Sequence, residues 1–441
     1  MMKLVITMAV PGIPFNGDTF DKLSIGGSES AGCYMARALA KRGHSVTVFC
    51  NTEAVVNSSD GVNYLPISLF RQYVEYTPHD VCIVQRVPEL LQSYNQAKFT
   101  MLWCHDLALR RNEGLFRGIS WNLDKIALLS DFQMKQYKTV FGFQDSQLFQ
   151  TRNGVDLALI AESLVELPNL GVRNPLSLVY SARPERGLDV LLGEIMPRIL
   201  KYEPATRLFL STYDNPVEQL KGFYEHCDRM GEALGSGVVQ KLGHLTKRQL
   251  YAVMQSAGVY AYPVPSRLMA DFAEISCISA MEAQACGLPV VTSAHGALPE
   301  TLAPEAGRLI SEPIHTEAFA EAFSEACLHY MRDPAAHERA SKAGLARAAH
   351  LGWDDVAMQW SALFDTSIRE RSSNLATLAN HFWRRNDIYA AKECLRWLPS
   401  GDVASAGIRE RIEKDYAFIE SPDGFREQYE KIGATHDPRV I

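Results

Sequence analysis

Short apolar runs rich in β-branched residues alternate with segments of helical periodicity over most of the chain. In the first third these runs cover residues 3–10, 45–50, 80–85, 99–104 and 125–130. The segment between Ser28 and Arg42 places its apolar side chains at helical spacing, and Gly43 ends it. Continuous apolar strands separated by helices are typical of a parallel sheet covered on both faces. The first third therefore predicts a doubly wound α/β domain.

The same alternation restarts after a turn and a linker. The turn runs from Asn153 to Asp156, and the linker passes through Pro168, Asn174 and Pro175. Apolar runs then recur at residues 176–182, 207–211, 238–242, 259–262, 289–292 and 308–310. Two successive doubly wound sheets are the economical interpretation, with a ligand cleft between their carboxyl edges.

The C-terminal part has helical periodicity without strands. Residues 353–371 are predicted to be helical. A helix, a turn at Asn386 and a second helix then resemble a helical-repeat hairpin, but a solenoid needs several repeats. We therefore favour a packing appendage over a module for protein contacts. The predicted domains are residues 1–165, residues 170–350, a helix at 351–371 that packs back across both, and a helical extension at 372–441.

The composition narrows the classes of function. A chain of 441 residues is too long for one ordinary core, and its net charge of −7 gives no support for nucleic-acid binding. The nine cysteines form no Cys-x-x-Cys pair, which indicates buried thiols in a reducing compartment. No apolar run approaches the roughly 18 residues of a spanning helix, and the N-terminal run reads as a strand, not a secretory signal. We expect a cytoplasmic protein, with peripheral contact at the inner face of a membrane as the second option.

Two carboxylates, Glu274 and Glu282, dominate the chemistry of the second half. The residues between them are small or apolar and predict a buried helix, which Gly287 and Pro289 end. Eight residues at about 100° each leave the second glutamate about 80° from the first around such a helix. Both side chains are then expected to address one ligand, as a general acid/base pair or as binding groups. The helix start would hold an anion.

Polar residues also follow the predicted strands of the first sheet, at the edge where ligands bind. Gly26 and Gly27 occupy the first turn, where the backbone can approach a ligand closely, and Ser28 is expected to cap the helix. A structural glycine turn explains them equally well, and the dinucleotide fingerprint Gly-x-Gly-x-x-Gly is absent. His105 follows the fourth strand and is expected to donate or accept near neutral pH, with a structural histidine as the alternative.

In the second domain, Arg183 and Arg186 stand at the mouth of the first loop and suit a diphosphate. A solvated loop in which Glu185 pairs with an arginine is the alternative. Asn153, in the turn between the sheets, is within reach of the cleft, although an Asx turn explains it as well. No His/Cys cluster has metal-ligand spacing and no Asp-x-Asp pair is present, so no metal is expected.

Together these motifs resemble the retaining glycosyltransferases of family 4, which have the GT-B fold. The spacing of Glu274 and Glu282 looks like the Glu-x7-Glu signature of that family. The other matching segments, over about residues 1–370, are 26–29 with 42–46, 105–106, 130–133, 153–156, 183–187, 242–245 and 296–300. The resemblance implies an α/β protein with two Rossmann-like doubly wound domains facing each other across a cleft, and a C-terminal α-helical extension.

The resemblance also implies an activity. Such enzymes move a sugar from a nucleotide-diphosphate donor to a glycan, lipid-linked or small-molecule acceptor, with retained configuration and without a metal or other cofactor. Glu274 and His105 would be the catalytic residues. The donor would be held by Arg183, Arg186, Glu282, Ser276, Cys277 and Gly243, and the acceptor or a phosphate by Gly26, Gly27 and Asn153.

One stretch departs from the family pattern. The glycines that usually follow the first glutamate are replaced by Ile275, Ser276 and Cys277, so sugar recognition is expected to differ. The loop at residues 263–272 is the candidate for base or sugar selectivity.

Other functions fit the same motifs. A nucleotide-sugar epimerase or a phosphorylase shares the fold, and a non-catalytic protein whose tail at residues 372–441 binds partners is the third option. The four charged site residues argue against a lost activity. Arg110, Arg111 and Arg117 form a candidate basic spot for membrane contact, with a solvated loop as the alternative.

Overall fold

The computed structural model describes residues 2–58, 60–166, 173–212, 217–385, 387–398, 406–421 and 423. The described residues form two compact units, one within residues 3–360 and one within residues 361–423 together with Met2. The first unit holds two parallel sheets and the candidate site. The predicted linker residue Pro168 and the predicted turn residue Asn386 lie outside the described residues.

The first sheet is parallel except at one edge. Its strands are β1 Val5–Val10, β2 Ser45–Cys50, β3 Val56–Asn57, β4 Val62–Pro66, β5 His79–Gln85, β6 Ala97–Trp103, β7 Lys125–Leu128 and β8 Leu148–Gln150. They lie in the order β3-β4-β2-β1-β5-β6-β7-β8, and β3 runs antiparallel to β4. The inner strands bury nearly every side chain, as expected when both faces of a sheet are covered.

The helices in this part of the chain are α1 Gly27–Lys41, α2 Phe70–Tyr76, α3 Glu113–Ile119, α4 Asp131–Phe141 and α5 Leu157–Glu166. The prediction that Ser28 caps α1 is wrong. The extended backbone at Gly26 already starts the helix, so Gly26 is the N-cap and Ser28 lies within the first turn. Its hydroxyl donates instead to Glu29 Oε2 over 2.8 Å.

The second sheet is parallel throughout. Its strands are β9 Ser177–Ser181, β10 Arg207–Ser211, β11 Val239–Gly243, β12 Val259–Tyr262, β13 Val290–Ser293 and β14 Gly307–Ile310. They lie in the order β11-β10-β9-β12-β13-β14. The accompanying helices are α6 Leu188–Val190, α7 Met196–Tyr202, α8 Lys221–Ala233, α9 Lys247–Ser256, α10 Ile278–Ala285, α11 Leu298–Thr301, α12 Glu317–Arg332 and α13 Pro334–Ala348.

After the second sheet the chain returns to the first domain. Helix α14 spans Trp353–Arg384, beyond the predicted end at residue 371. At its start, Trp353 stacks on Tyr34 with the ring centroids 6.1 Å apart, and Trp360 Nε1 donates to Thr151 Oγ1 over 2.7 Å. These contacts pack the start of α14 against the first domain.

The described part of the second unit is helical. Helices α15 Ile388–Arg396 and α16 Ala406–Ile419 follow α14, so the predicted pair of helices on either side of residue 386 is confirmed. Asp387 caps α15 by accepting from Ala390 N over 3.1 Å. A small apolar core joins the three helices through Ala379, Ala391, Leu395, Leu398, Ile408 and Ile412.

The strand order decides which loops meet. In the first sheet the chain leaves β1 for β2 on one side and later returns to β5 on the other, and β9 has the same relation to β10 and β12 in the second sheet. Ligands of open α/β sheets bind outside the carboxyl ends of the strands at such switch points. The loops after β1, β5, β6, β9 and β12 are therefore placed to line a site.

Most strands predicted from the apolar runs are confirmed to within a few residues in both sheets. β3, β4 and β8 were not predicted, because β3 and β8 have only two and three residues and β4 contains Asn63 and ends at Pro66. All nine cysteines are free and buried, as the sequence indicated.

Candidate active site

The carboxyl edges of the two sheets face each other across a cavity of about 300 Å³. Its walls bring together most residues selected from the sequence, namely Gly26, Gly27, His105, Asn153, Arg183, Arg186, Glu274, Ser276, Cys277 and Glu282. Gly243, at the end of β11, is not among the described residues that line the cavity. Its contact with a donor therefore stays a prediction. The cavity lies in the cleft that the two switch points define.

Glu282 lies in the second turn of α10 and is 1% exposed. Its Oε1 accepts two hydrogen bonds, from Lys247 Nζ over 2.6 Å and from the Tyr251 hydroxyl over 2.8 Å. Burial and then the nearby carboxylate hold the pKa of Tyr251 well above its ordinary value, so this hydroxyl remains a donor. Oε2 is buried too, but no described residue donates to it. Glu282 lines the cavity, and its Oε2 is an acceptor to which the described residues supply no donor.

Glu274 does not lie on that helix, so the predicted 80° relation between the two glutamates is wrong. Helix α10 begins at Ile278 with Cys277 as its N-cap, and Glu274 belongs to the loop before it. The reason is a tertiary contact, because the Glu274 carbonyl accepts from Ala297 N over 2.7 Å instead of starting a helical turn. Gly296 permits this contact, since a Cβ there would lie 2.4 Å from the same carbonyl oxygen and φ is +60°.

The Glu274 carboxyl group is nevertheless in the cavity wall. Its Oε1 accepts from the Tyr262 hydroxyl over 2.5 Å. Burial raises the pKa of Glu274, while this hydrogen bond and the Arg186 guanidinium act in the opposite direction. A carboxylate in a water-poor wall exerts a strong field on any positive charge that develops in the cavity.

Arg183 and Arg186 occupy the loop after β9 as predicted. The loop turns at Gly187, where φ is +116° and a Cβ would lie 2.2 Å from Pro263 O. Only glycine lets the arginine loop approach the chain after β12 this closely. Both arginines consequently point into the cavity from one side.

The two arginines differ in their surroundings. Arg183 lies 3.9 Å from the buried carboxylate of Glu185, so the pairing considered as an alternative is present, although loosely. Arg186 forms no salt bridge with a described carboxylate, and its Cζ lies 3.4 Å from the ring centroid of Phe272. Stacking on an aromatic face holds a guanidinium in place without neutralising its charge. Phe272 belongs to the loop that the sequence suggested for selectivity.

The start of α10 supplies backbone donors to the same space. Cys277 is the N-cap, so the next amides, at Ile278 and Ser279, have no partner within the helix. Asn153 supports this segment from the turn between the sheets, as its Nδ2 donates to Ser276 Oγ over 3.1 Å. The anion-binding helix start predicted from the sequence is thus present, shifted to later residues.

The glycine turn of the first domain faces this helix start. A Cβ on Gly26 would lie 2.8 Å from Glu29 Oε2, so the Glu29 carboxylate, in the same domain, leaves little room for a side chain at this position. A Cβ on Gly27 would meet Ile278 Cδ1 at 3.4 Å, across the cavity. Gly27 therefore keeps the cleft open where the two domains oppose each other.

His105 lines the cavity, and its imidazole does not titrate near neutral pH. Burial, and then the Arg86 guanidinium, lower the pKa of His105 to about 3. Its Nε2 lies 2.9 Å from the Gln85 amide nitrogen, which also donates to Ser28 O over 2.7 Å. That nitrogen is therefore the donor to His105, and the ring is neutral with its proton on Nδ1. A neutral imidazole can donate a hydrogen bond here but does not supply a charge.

We expect His105 to make folding less stable as the pH falls. Because its folded pKa is below the ordinary value of 6.5, the unfolded chain binds the proton first. This contribution is complete above about pH 6.5 and is lost toward pH 3, by at most about 1.4 kcal/mol per pH unit. Urea unfolding of the protein and of His105→Gln, which cannot titrate, should show a stability difference that narrows between about pH 7 and pH 4. A constant difference would contradict the lowered pKa of His105.

Arg86 and Lys247 are charged residues of the cavity wall that were not selected from the sequence. Arg86 directly follows β5 and contacts both Asp106, over 2.9 Å, and Ser28 Oγ, over 3.3 Å. Its backbone has φ of +65°, which is rare for a residue with a side chain. Lys247 opens α9, where Thr246 and Gln249 form a capping box. Two features of the sequence could have identified them. Lys247 directly follows a helix-capping pattern, and Arg86 directly follows a strand.

No group of three or more His, Cys, Asp or Glu among the described residues is arranged to hold a metal ion. None of the described helices has the length and apolar content needed to cross a membrane. In the basic spot, Arg110, Arg111 and Arg117 are all exposed, and Arg117 also pairs with Glu113 one turn earlier in α3. Membrane contact stays a prediction.

Residues 176–328 match the family model described as glycosyl transferases group 1. This range begins just before β9 and ends within α12, so it contains the arginine loop, Lys247 and both glutamates. The match therefore covers the donor-side wall of the cavity.

The chain is also similar to curated proteins and to solved structures. It is 25% identical over 253 residues to a GDP-mannose-dependent monoacylated alpha-(1-6)-phosphatidylinositol monomannoside mannosyltransferase of Corynebacterium glutamicum, covering 56% of this chain and 60% of that protein. It is 29% identical over 247 residues to an MMP alpha-(1->4)-mannosyltransferase of Mycolicibacterium hassiacum, covering 55% of this chain and 51% of the relative. The chain thus matches between half and three-fifths of the length of these relatives. The structure of Anabaena HepE with UDP-glucose superposes with a TM-score of 0.62 at 15% identity, over 82% of this chain and 100% of that one.

Proposed function

We propose that this chain, which belongs to the group 1 glycosyl transferases and has the GT-B fold, moves a sugar from a nucleotide-diphosphate donor to an acceptor hydroxyl with retained configuration. One observation carries the proposal. Two arginines, the half-buried Glu274 and the buried Glu282 meet in a single cavity between the carboxyl edges of the two sheets. This set offers opposite charges to the two ends of such a donor.

The diphosphate end is assigned to the arginine loop. The guanidinium groups of Arg183 and Arg186, with the open amides at the start of α10, would hold its oxygens. Glu282 Oε2 would accept from the ribose hydroxyls. Because these donors neutralise the charge that grows on the departing diphosphate, we propose that no metal is needed.

The sugar end is assigned to Glu274 and His105. The bond between the anomeric carbon and the diphosphate oxygen breaks, and the acceptor oxygen forms the new bond on the same face. The acceptor proton passes to the departing diphosphate oxygen, so no protein group changes its charge in the net reaction. The Glu274 carboxylate would stabilise the positive charge on the sugar, and the His105 Nδ1 proton would orient a hydroxyl of the sugar or acceptor.

The names of two relatives are the basis for the substrate classes that we propose for this chain. The two curated relatives are named as mannosyltransferases, one of them GDP-mannose-dependent and acting on a phosphatidylinositol mannoside. We therefore propose a hexose donor and a polyhydroxylated or lipid-linked acceptor. The first domain would bind the acceptor, with Gly26, Gly27 and Asn153 beside it.

A thermal-shift screen with uridine, guanosine, adenosine and thymidine diphosphates tests donor binding. We expect one of them to raise the melting temperature, since a ligand at about a hundred times its Kd stabilises by about 2.7 kcal/mol. The corresponding nucleotide-sugar is then incubated with and without candidate acceptors, with and without a chelator. Product that requires an acceptor and forms in the presence of the chelator supports the proposal.

The alternatives give different outcomes in the same assay. A nucleotide-sugar epimerase converts the donor without any acceptor, and a non-catalytic protein binds a nucleotide without turnover. If none of the four nucleotides shifts the melting temperature of the full chain, the donor site is wrongly assigned. The role of the tail at residues 372–441 is measured separately, through copurifying proteins.

A further inference from the structure

Lys247 is a charged residue of the cavity for which the proposed reaction provides no task. It directly follows the N-cap Thr246 at the start of α9, and its side chain is 17% exposed. Its Nζ lies 2.6 Å from Glu282 Oε1 and lines the same cavity as the arginines. The lysine therefore acts within the candidate site without belonging to the arginine loop.

Lys247 and Tyr251 bind the same carboxylate oxygen. Both project from α9, one turn apart, and both donate to Glu282 Oε1, over 2.6 Å and 2.8 Å. The other oxygen, Oε2, receives no hydrogen bond from a described residue although it is buried. The two oxygens of Glu282 therefore differ. Oε1 accepts from two protein groups, whereas Oε2 has no donor among the described residues.

Lys247 stabilises the buried carboxylate of Glu282 in a way that the Tyr251 hydroxyl alone does not. A carboxylate that is 1% exposed loses its hydration, and a charged partner compensates for this much better than a neutral hydroxyl. Two donors on one oxygen also fix the torsion of the carboxylate, so that Oε2 keeps one direction. A carboxylate with a fixed direction suits a pair of adjacent hydroxyl groups.

We propose that Lys247 is a positioning residue that fixes Glu282 for a ribose diol and so makes the site selective for ribonucleotides over deoxyribonucleotides. This inference rests on the proposed function, since it assigns the ligand of Oε2 to the ribose of the donor. A site built to bind a hydroxyl discriminates strongly against an analogue that lacks it, because a buried acceptor is then left unpaired. Lys247 controls the strength of that discrimination.

The competing assignment gives Lys247 a direct contact with the diphosphate. An ammonium group has three donors, and Glu282 uses one of them. In that case removal of Lys247 weakens every diphosphate ligand alike, including inorganic diphosphate, which has no ribose. The two assignments therefore differ in which ligand is affected.

The experiment measures affinities of the full chain for three probes by calorimetry. These are the ribonucleoside diphosphate with the base found in the thermal-shift screen, its 2′-deoxy counterpart and inorganic diphosphate. The variants are Lys247→Met, which keeps the stem without the charge, and Lys247→Arg, which keeps a charge. Lys241→Met is the matched control, because Lys241 lies in the same domain and pairs with Asp228 at the surface.

We expect Lys247→Met to bind the nucleoside diphosphate about tenfold more weakly, the effect of one charged hydrogen bond. Its binding of inorganic diphosphate should be unchanged, which also shows that the variant is folded. The ratio between ribo and deoxyribo affinities should shrink in Lys247→Met and recover in Lys247→Arg. In a Glu282→Gln background the same substitution should have little further effect.

Three results overturn the proposal. Equal losses for nucleotide and inorganic diphosphate assign Lys247 to the phosphates. An unchanged ribo-to-deoxyribo ratio in Lys247→Met shows that Glu282 is positioned without it. A tenfold loss in Lys241→Met shows a general charge effect. Failure of the unsubstituted chain to bind any nucleotide is a different outcome, because it contradicts the proposed function itself.

Discussion

Replacing Glu274 with glutamine is expected to lower kcat by about a hundredfold to a thousandfold, the effect of removing one preorganised electrostatic group. Glutamine keeps the shape of the side chain and can still accept from the Tyr262 hydroxyl, which lies 2.5 Å from Oε1. What it removes is the negative charge beside the sugar. Binding of the nucleoside diphosphate should change little, because the diphosphate and ribose contacts are assigned to other residues. Steady-state kinetics with separate donor calorimetry make the measurement.

The pH dependence gives a second measure of the same role. Burial raises the pKa of Glu274, so turnover should fall as the pH drops through a value above the ordinary 4.5. Glu274→Gln has no carboxyl group there and should lose this acidic limb. The matched control is Glu317→Gln, whose carboxylate is 87% exposed on α12. If kcat of Glu274→Gln stayed within twofold of that of the unsubstituted chain, Glu274 would not lie beside the anomeric carbon of the donor sugar.

Replacing Arg186 with methionine is expected to weaken binding of the nucleoside diphosphate by about a hundredfold. The loss corresponds to two charged hydrogen bonds at roughly 1.4 kcal/mol each. The effect should be large because the guanidinium is already ordered by Phe272, 3.4 Å away, and no described carboxylate forms a salt bridge with it. Calorimetry against the nucleoside, its monophosphate and its diphosphate locates the contact, since the loss should grow with each phosphate.

Charge and geometry can be separated at this position. Arg186→Lys keeps a positive charge but gives up the planar group that stacks on Phe272, so an intermediate affinity is expected. Arg332→Met serves as the control, because Arg332 pairs with Glu203 on the surface at 2.6 Å. A nucleoside that loses as much affinity as its diphosphate in Arg186→Met would argue that the residue supports the loop and does not bind phosphate.

Much of the architecture was accessible from the sequence because it depends on short-range patterns. Strands covered on both faces are mostly apolar, which is why β2, β10 and β12 were located correctly to the residue. The rule that ligands bind at the carboxyl ends of strands then selected the loops that carry His105, Arg183 and Arg186. Those loops do meet in one cavity.

What the sequence could not predict has a different cause. Glu274 was placed on a helix because its neighbours are small and apolar, but a hydrogen bond to Ala297 and the close approach of Gly296 hold it in a loop. His105 was expected to donate or accept near neutral pH, but only the structure shows that burial lowers its pKa to about 3 and keeps the ring neutral. Both results depend on groups that are distant along the chain.

By itself the sequence determined that this protein has two successive parallel sheets, which loops lie at their edges and which charges those loops carry, since periodicity and loop position are local properties. Only the tertiary structure decided what those charges do. Lys247 and Tyr251 had to be brought against Glu282 for one of its oxygens to be satisfied and the other left for a ligand. The physical reason is that hydration, charge pairing and hydrogen-bond direction are set by all groups around a side chain, and in this cavity those groups come from both domains.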